Sequence, residues 1–311
     1  MRASRVRMSG PLLILAAAAG TSACSTSPPP ARPELPPIAS GSAGASLPGK
    51  VVWRDLLTHA PDEAVAFYGE LFGWTFEAAP GAPTGYRTIR FEDTPVGGMF
   101  AVDPDDVESP LWLVSVSVPT VDEAARTARN LGATLVTEPA ELPDRGRYAV
   151  IRDPQGAFIV LLRAMSGDPA DDEEIGPGDW LWTELWTTEA AGAVSFYQEL
   201  LGYRAEGVAA RLAETAEEDE ADGEESFTFF VMFADERPRS GIQQLPVDAP
   251  PHWLPYVAVA DVGATVARAK NLGARIVLSP DAVRNEEAAI LVDPTGAPFG
   301  IQQWPRAGGD R

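Results

Sequence analysis

Two short stretches of this 311-residue chain set an indole beside a carboxylate at strand spacing. Trp53, Asp55 and Leu57 alternate along the extended run from Val51 to Thr58, and Trp182, Glu184 and Trp186 alternate along a corresponding later run. Successive side chains of a strand point to opposite faces, so each trio shares one face. A carboxylate walled by indoles supports two kinds of chemistry. Burial raises its pKa and suits it to general acid or base work, which makes Asp55 and Glu184 the catalytic candidates. Alternatively, an acidic aromatic surface receives a cationic or planar ligand by stacking and cation–π contact. The competing possibility is plain core filling, with the carboxylates satisfied by backbone or arginine.

Other reactive residue types are scarce. The chain has two histidines, His59 and His252, each just outside an expected strand and expected at a turn or the surface. His252 follows two prolines and abuts Trp253, which leaves it a minor catalytic candidate. Lys and Arg number 24 against 45 Asp and Glu, a formal net charge of −21. That balance argues against a nucleic-acid surface and against basic binding to anionic lipid. With 45 % hydrophobic residues there is material for packed cores, and the length suggests about two domains.

The elements that must position these residues come twice. Trp53-Arg-Asp-Leu-Leu-Thr58 recurs as Trp182-Thr-Glu-Leu-Trp-Thr187, and Phe67-Tyr-Gly-Glu-Leu-Phe-Gly-Trp74 as Phe196-Tyr-Gln-Glu-Leu-Leu-Gly-Tyr203, both offset by 129. Further on, Ala128-Arg-Asn-Leu-Gly-Ala133 recurs as Ala269-Lys-Asn-Leu-Gly-Ala274, and Asp153-Pro-Gln-Gly-Ala157 as Asp293-Pro-Thr-Gly-Ala297, with offsets of 141 and 140. The copies therefore run over about 50–165 and 179–305. The second carries extra residues between Tyr203 and Gly241, including an acidic run at 214–225 that holds eight carboxylates and no cation. Like charges at that density stay solvated and read as a surface loop. A calcium loop would need a regular ligand spacing that this run lacks.

Each copy is doubled again, more faintly: Asp62-Glu-Ala-Val is echoed by Asp122-Glu-Ala-Ala. In the first quarter a strand to Thr58 precedes a helix from Asp62, apolar at Ala64, Val65, Phe67, Tyr68 and Leu71 and ended by Gly73. Strands follow at 74–77, 86–91 and 96–102. The second quarter gives a strand at 112–118, a helix at 121–131 and strands at 134–137, 147–152 and 158–162. Each quarter is thus βαβββ, an α+β arrangement.

A doubled βαβββ unit with a Phe-Tyr…Leu-x-Gly-Trp/Tyr helix end and an Asp-Pro-x-Gly turn before the last strand resembles the vicinal oxygen chelate superfamily. That superfamily includes glyoxalase I, extradiol dioxygenases and bleomycin-resistance proteins. The resemblance implies tandem domains, each of paired modules whose sheet curls into a cup with the ligand inside and helices outside. It also implies where a metal would be held. Those positions fall on Trp53, Leu113, Val160 and Met99 or Phe100 in copy one, and on Trp182, Leu254, Gly300 and Ile242 or Gln243 in copy two. Trp, Leu, Val and Gly offer no donor to such a cation, so no family-type metal centre and no cofactor is expected. The resemblance further implies that Trp53, Ser115 and Ser117 face the first cup, and Trp182, Trp186, Gln243, Tyr256 and Gln302 the second, with Trp304 at its mouth.

The N-terminus reads as a targeting segment. Arg2, Arg5 and Arg7 precede the apolar run Leu12–Ala19, which at eight residues spans about 12 Å and is too short to cross a bilayer. Ser22-Ala23-Cys24 resembles the cleavage and acylation site of a bacterial lipoprotein, although Thr21 stands where Leu is usual. A lone cysteine in an oxidising compartment also has no disulfide partner. The expectation is a signal over 1–23, lipidation at Cys24, and a tether rich in Pro, Ser and Ala over 24–49. It would place the protein in the cell envelope, anchored to a membrane.

Three functions fit these readings. One is a metal-free module holding an unidentified small molecule. The second is an enzyme of lyase, dioxygenase or hydroxylase type, metal-dependent or acid–base. The third is a structural envelope protein with filled cups. Four modules in one chain can pair internally as a monomer, and a dimer is the alternative.

Overall fold

The computed structural model describes residues 35–39, 45–79, 85–171, 175–208, 229–245, 250–280 and 287–304. The segment expected to be a signal, Cys24 and the acidic run at 214–225 lie outside them.

Copy one runs β1 (Val51–Thr58), α1 (Pro61–Phe72), β2 (Thr75–Ala78), β3 (Tyr86–Phe91), β4 (Thr94–Ala101), β5 (Leu111–Ser117), α2 (Val121–Asn130), β6 (Thr134–Leu142), β7 (Gly146–Arg152) and β8 (Phe158–Ala164). Copy two repeats it with β9 (Trp180–Thr187), α3 (Ala190–Leu201), β10 (Arg204–Val208), β11 (Phe229–Ala234), β12 (Arg237–Gln244), β13 (His252–Val259), α4 (Val262–Asn271), β14 (Arg275–Leu278), β15 (Ala288–Val292) and β16 (Pro298–Gln303). Each copy forms one eight-stranded sheet, ordered β2-β3-β4-β1-β5-β8-β7-β6 and β10-β11-β12-β9-β13-β16-β15-β14. The fold is α+β, with two tandem domains of paired βαβββ modules.

Within a module the helix lets the fourth strand return parallel to the first, as β4 does to β1 and β8 to β5. The two modules then join antiparallel through β1 and β5. Pro61 opens α1 with Asp62 and Glu63 in its first turn, where the helix dipole favours negative charge. Gly73 ends α1 at φ 76°, a left-handed cap that side chains disfavour, and Gly202 ends α3 the same way at φ 72°. The edge strand β6 extends to Leu142, beyond the expected four residues, because two register shifts accommodate Pro139 at an edge where its missing N–H costs no ladder bond.

The helices of both copies lie between the two sheets. Residues of α1, with Leu56, Ile89, Met99 and Trp112, share one core with Val257, α4, Leu291 and Phe299 of copy two. Residues of α2, with Val114, Ile151 and Leu161, share another with α3, Met232, Ile242 and Trp253. Recurrent motif residues fasten the halves reciprocally. Tyr68 Oη donates to Asp293 Oδ2 and Tyr197 Oη to Asp153 Oδ2, each at 2.9 Å. Trp74 Nε1 donates to the Gly178 carbonyl at 2.9 Å, and Tyr203 Oη donates to that of Gly49. At the centre Arg54 Nη2 reaches Thr183 Oγ1 at 3.0 Å, two residues at equivalent places in the repeat. Burial pulls the Arg54 pKa down to about 9, so it is still charged at neutral pH.

Candidate functional site

The cups lie on the sheet faces turned away from the helices, and strand alternation sorts the side chains. In β1, Leu56 enters the helix-side core while Trp53 and Leu57 enter the core of the opposite face. Met99 of β4 joins the helix side and Phe100 the cup; likewise Ile242 of β12 turns to the helix side, which leaves Gln243 on the cup face.

Cup one is filled. Trp53, 1 % exposed, donates its Nε1–H to Asp55 Oδ1 at 3.0 Å. The guanidinium of Arg145, between β6 and β7, stacks 4.5 Å from the Trp53 ring centre and donates through Nη2 to Tyr86 Oη at 3.0 Å. Tyr86 Oη lies 3.5 Å from the same Asp55 oxygen. Burial raises the Asp55 pKa; the Arg145 charge and the bonds from Trp53 and Tyr86 work against it. Burial also raises the Tyr86 hydroxyl. Leu35 and Ile38 complete the filling, being 3 % and 2 % exposed inside the cup core with Leu113, Tyr148, Phe158 and Val160. Composition reads this stretch as tether, yet it contributes two core side chains worth about 1.5–3 kcal/mol each in gross burial. Ser115 is buried on β5 opposite Trp53. Ser117 is turned to other use: its Oγ donates to Asp168 Oδ2 at 2.6 Å, the oxygen that also takes the Leu47 N–H at 2.6 Å.

Cup two is built from the same strands with a different outcome. Leu254, Tyr256 and Ile290 are buried there among the described residues, while Trp182, Trp186 and Leu278 are only partly covered. Glu184, 5 % exposed, accepts the Tyr256 hydroxyl at 2.7 Å and the Trp186 Nε1–H at 3.0 Å on one oxygen, Oε2. The carboxylate is thus held by the indole two residues after it, whereas Asp55 is held by the one before. Trp182 Nε1 is left buried without an acceptor among the described residues. Gln243 and Gln302 are buried on the flanking strands, with Gln243 opposite Trp186. His252 pairs in register with Trp186, its ring centre 6.3 Å from the indole, and burial lowers its pKa. Trp304 is half-buried beyond β16. His59 stands elsewhere, against the Val107 carbonyl at 2.6 Å.

The donor set does not fit a family-type metal. Among the described residues no three His, Cys, Asp or Glu side chains gather. The ligand-strand positions are also shaped for rings. A Cβ on Gly98 would stand 2.1 Å from Asp55 Oδ1 and 2.3 Å from Tyr86 Oη, and one on Gly300 would stand 2.3 Å from the Tyr256 ring. At Gly300, where the resemblance would place a ligand, the Tyr256 ring occupies the space a ligating side chain would need.

Tyr86, Arg145, Leu35 and Ile38 join cup one without a sequence signal that singles them out. Tyr86 lay on an expected strand and was legible in principle. Arg145 follows Pro-Asp in a turn and carries no signal.

Both copies match the glyoxalase-like domain family, over residues 51–162 and 182–302, and the chain belongs to that family. It is 30 % identical over 285 residues to the anthracycline biosynthesis protein DnrV of Streptomyces peucetius, covering 84 % of this chain and 97 % of that one. Among solved structures it resembles the Mn(II)-bound glyoxalase from Novosphingobium aromaticivorans, with TM-score 0.57, 14 % identity and 83 % of each chain covered. It also resembles the 2,3-dioxygenase LapB from Pseudomonas sp. KL28, with TM-score 0.52, 15 % identity, and 87 % and 97 % covered. At such identities the structural likeness is one of fold alone, here that of the vicinal oxygen chelate superfamily.

Proposed function

We propose that this chain is an envelope-anchored binding module that holds a planar, cationic small molecule in the cup of copy two without a metal. The observation that carries the reading is the difference between equivalent cups. Trp53 is sealed beneath Arg145, whereas Trp182 and Trp186 stand half-covered on either side of Glu184. Half-covered indoles beside a carboxylate offer stacking and cation–π contact together with a charge partner. The unpaired Trp182 Nε1–H adds a donor for a ligand acceptor. Similarity to a protein of anthracycline biosynthesis fits an organic ligand of modest size. Copy one, whose cup is filled by its own chain, does not take this ligand.

The test is a fluorescence titration of the mature protein with proflavine, a planar aromatic cation, at a salt concentration that screens the acidic surface. One saturable site is expected. Glu184→Gln should weaken it at least tenfold, a loss of about 1.4 kcal/mol. Asp55→Asn in cup one and Glu138→Gln on the surface should leave it unchanged. Equal affinity for wild type and Glu184→Gln would remove the reading.

A further inference from the structure

We propose that the cup of copy one is a peptide-binding site, and that its ligand is this chain's own segment Leu35–Ile38. The segment is Leu-Pro-Pro-Ile, with both aliphatic ends buried, Pro36 intermediate and Pro37 exposed. Two prolines hold such a stretch near a three-residue turn, which brings positions 35 and 38 to the same side. Neither proline has an N–H, so the segment cannot be recognised as an added strand and must be read through its side chains and carbonyls. The cup supplies both. Trp53, Tyr86, Tyr148 and Phe158 line it, the aromatic surface that proline-rich peptides dock on generally. Arg145 Nε donates to the Pro36 carbonyl at 2.8 Å, between the two anchors.

Arg145 makes the case more than shape complementarity. It is 3 % exposed with the segment in place, and a second of its nitrogens, Nη2, donates to Tyr86 Oη. The Pro36 carbonyl is the acceptor that the Nε–H meets among the described residues, so the segment supplies a hydrogen bond that a purely apolar plug would leave unmade. A cup shaped only for packing would set an apolar side chain there. A second fastening follows at 45–47, where Asp168 N donates to the Ala45 carbonyl at 2.8 Å and Leu47 N to Asp168 Oδ2.

The experiment uses the full mature chain and a fluorescent peptide of residues 32–41, followed by anisotropy. In wild type the cup is occupied by the tethered segment at high effective concentration, so the peptide should bind poorly. Leu35→Ser/Ile38→Ser empties the cup, and this variant should bind the peptide saturably, one per chain, at least tenfold more tightly than wild type. A peptide carrying the same two serines should not bind it. If the double variant does not fold, Ile38→Ala serves the same comparison. Equal binding by wild type and variant, or binding by neither, would overturn the proposal. Proflavine titration of the same variant reports separately on cup two, so failure of one reading is distinguishable from failure of the other.

Discussion

Removing the phenolic oxygens that join the two copies tests the shared core, and the two removals should differ. Among the described residues Tyr197 Oη donates to Asp153 Oδ2 at 2.9 Å, while Trp253 Nε1, the counterpart of the Trp112 nitrogen, is already without an acceptor. Tyr197→Phe deletes a hydrogen bond to a charged group, a loss of about 1.5–3 kcal/mol. Tyr68 Oη makes the matching bond to Asp293 Oδ2 at 2.9 Å and also accepts Trp112 Nε1 at 3.2 Å. Tyr68→Phe therefore deletes the same kind of bond and strands a buried indole N–H, which adds about 1 kcal/mol or more. Neither aspartate loses its other contacts: Asp293 Oδ1 keeps the Thr295, Gly296 and Ala297 N–H groups, and Asp153 Oδ1 keeps those of Gly156 and Ala157. At about 2–4 °C per kcal/mol for a unit of this size, Tyr197→Phe should lower Tm by roughly 3–12 °C and Tyr68→Phe by several degrees more. Urea denaturation followed by tryptophan fluorescence, with calorimetry alongside, measures both. Because each core draws on both copies, one cooperative transition is expected. A larger loss for Tyr197→Phe, or losses below about 0.5 kcal/mol for both, would refute the assignment of these bonds as fasteners.

Asp55 gives a pH prediction. Its folded pKa lies above the ordinary 3.8, mainly through burial, so the folded state binds the proton more tightly than the unfolded chain. Its contribution is then full below that ordinary value and is lost as pH rises through the folded one. The Tm of Asp55→Asn relative to wild type should therefore improve as pH rises above about 4; a constant difference would contradict the raised pKa. For the envelope anchor, cells fed radioactive palmitate should label the wild-type protein and not Cys24→Ala. No label in wild type would remove the lipoprotein reading.

How much of this was legible in the sequence follows from the range over which each feature is encoded. The alternation that sets Trp53 beside Asp55, and Trp182 and Trp186 around Glu184, is local, and so are the helices ended by Gly73 and Gly202. The Phe-Tyr and Asp-Pro-x-Gly motifs were visible as repeats, but their meaning was not. Tyr68 meets Asp293 rather than Asp153, and no periodicity specifies a partner 225 residues away. The filling of cup one was hidden for a different reason. Leu35 and Ile38 sit in a stretch whose Pro, Ser and Ala content argues for tether, and two anchors are too few to alter that composition. The one-methylene difference between Asp55 and Glu184 was plain in the sequence. So was the exchange of Leu57 for Trp186; that the longer Glu184 carboxylate would take the added indole and leave Trp182 without an acceptor was not, because side-chain reach is settled only by the packed sheet.

The reciprocal Tyr–Asp bonds also bear on how the two halves could diverge. Two identical chains associating through these same contacts would present identical cups, since any substitution would appear in both. Joining the halves in one polypeptide lifts that constraint. Each half can accumulate its own substitutions while the seam between them is kept, as the paired tyrosines and aspartates keep it here. One cup can then close over a segment of its own chain, as Arg145 does over Leu35–Ile38, at no cost to the other. In this chain the duplication acts as a licence for asymmetry, and the seam is what keeps the two halves one molecule.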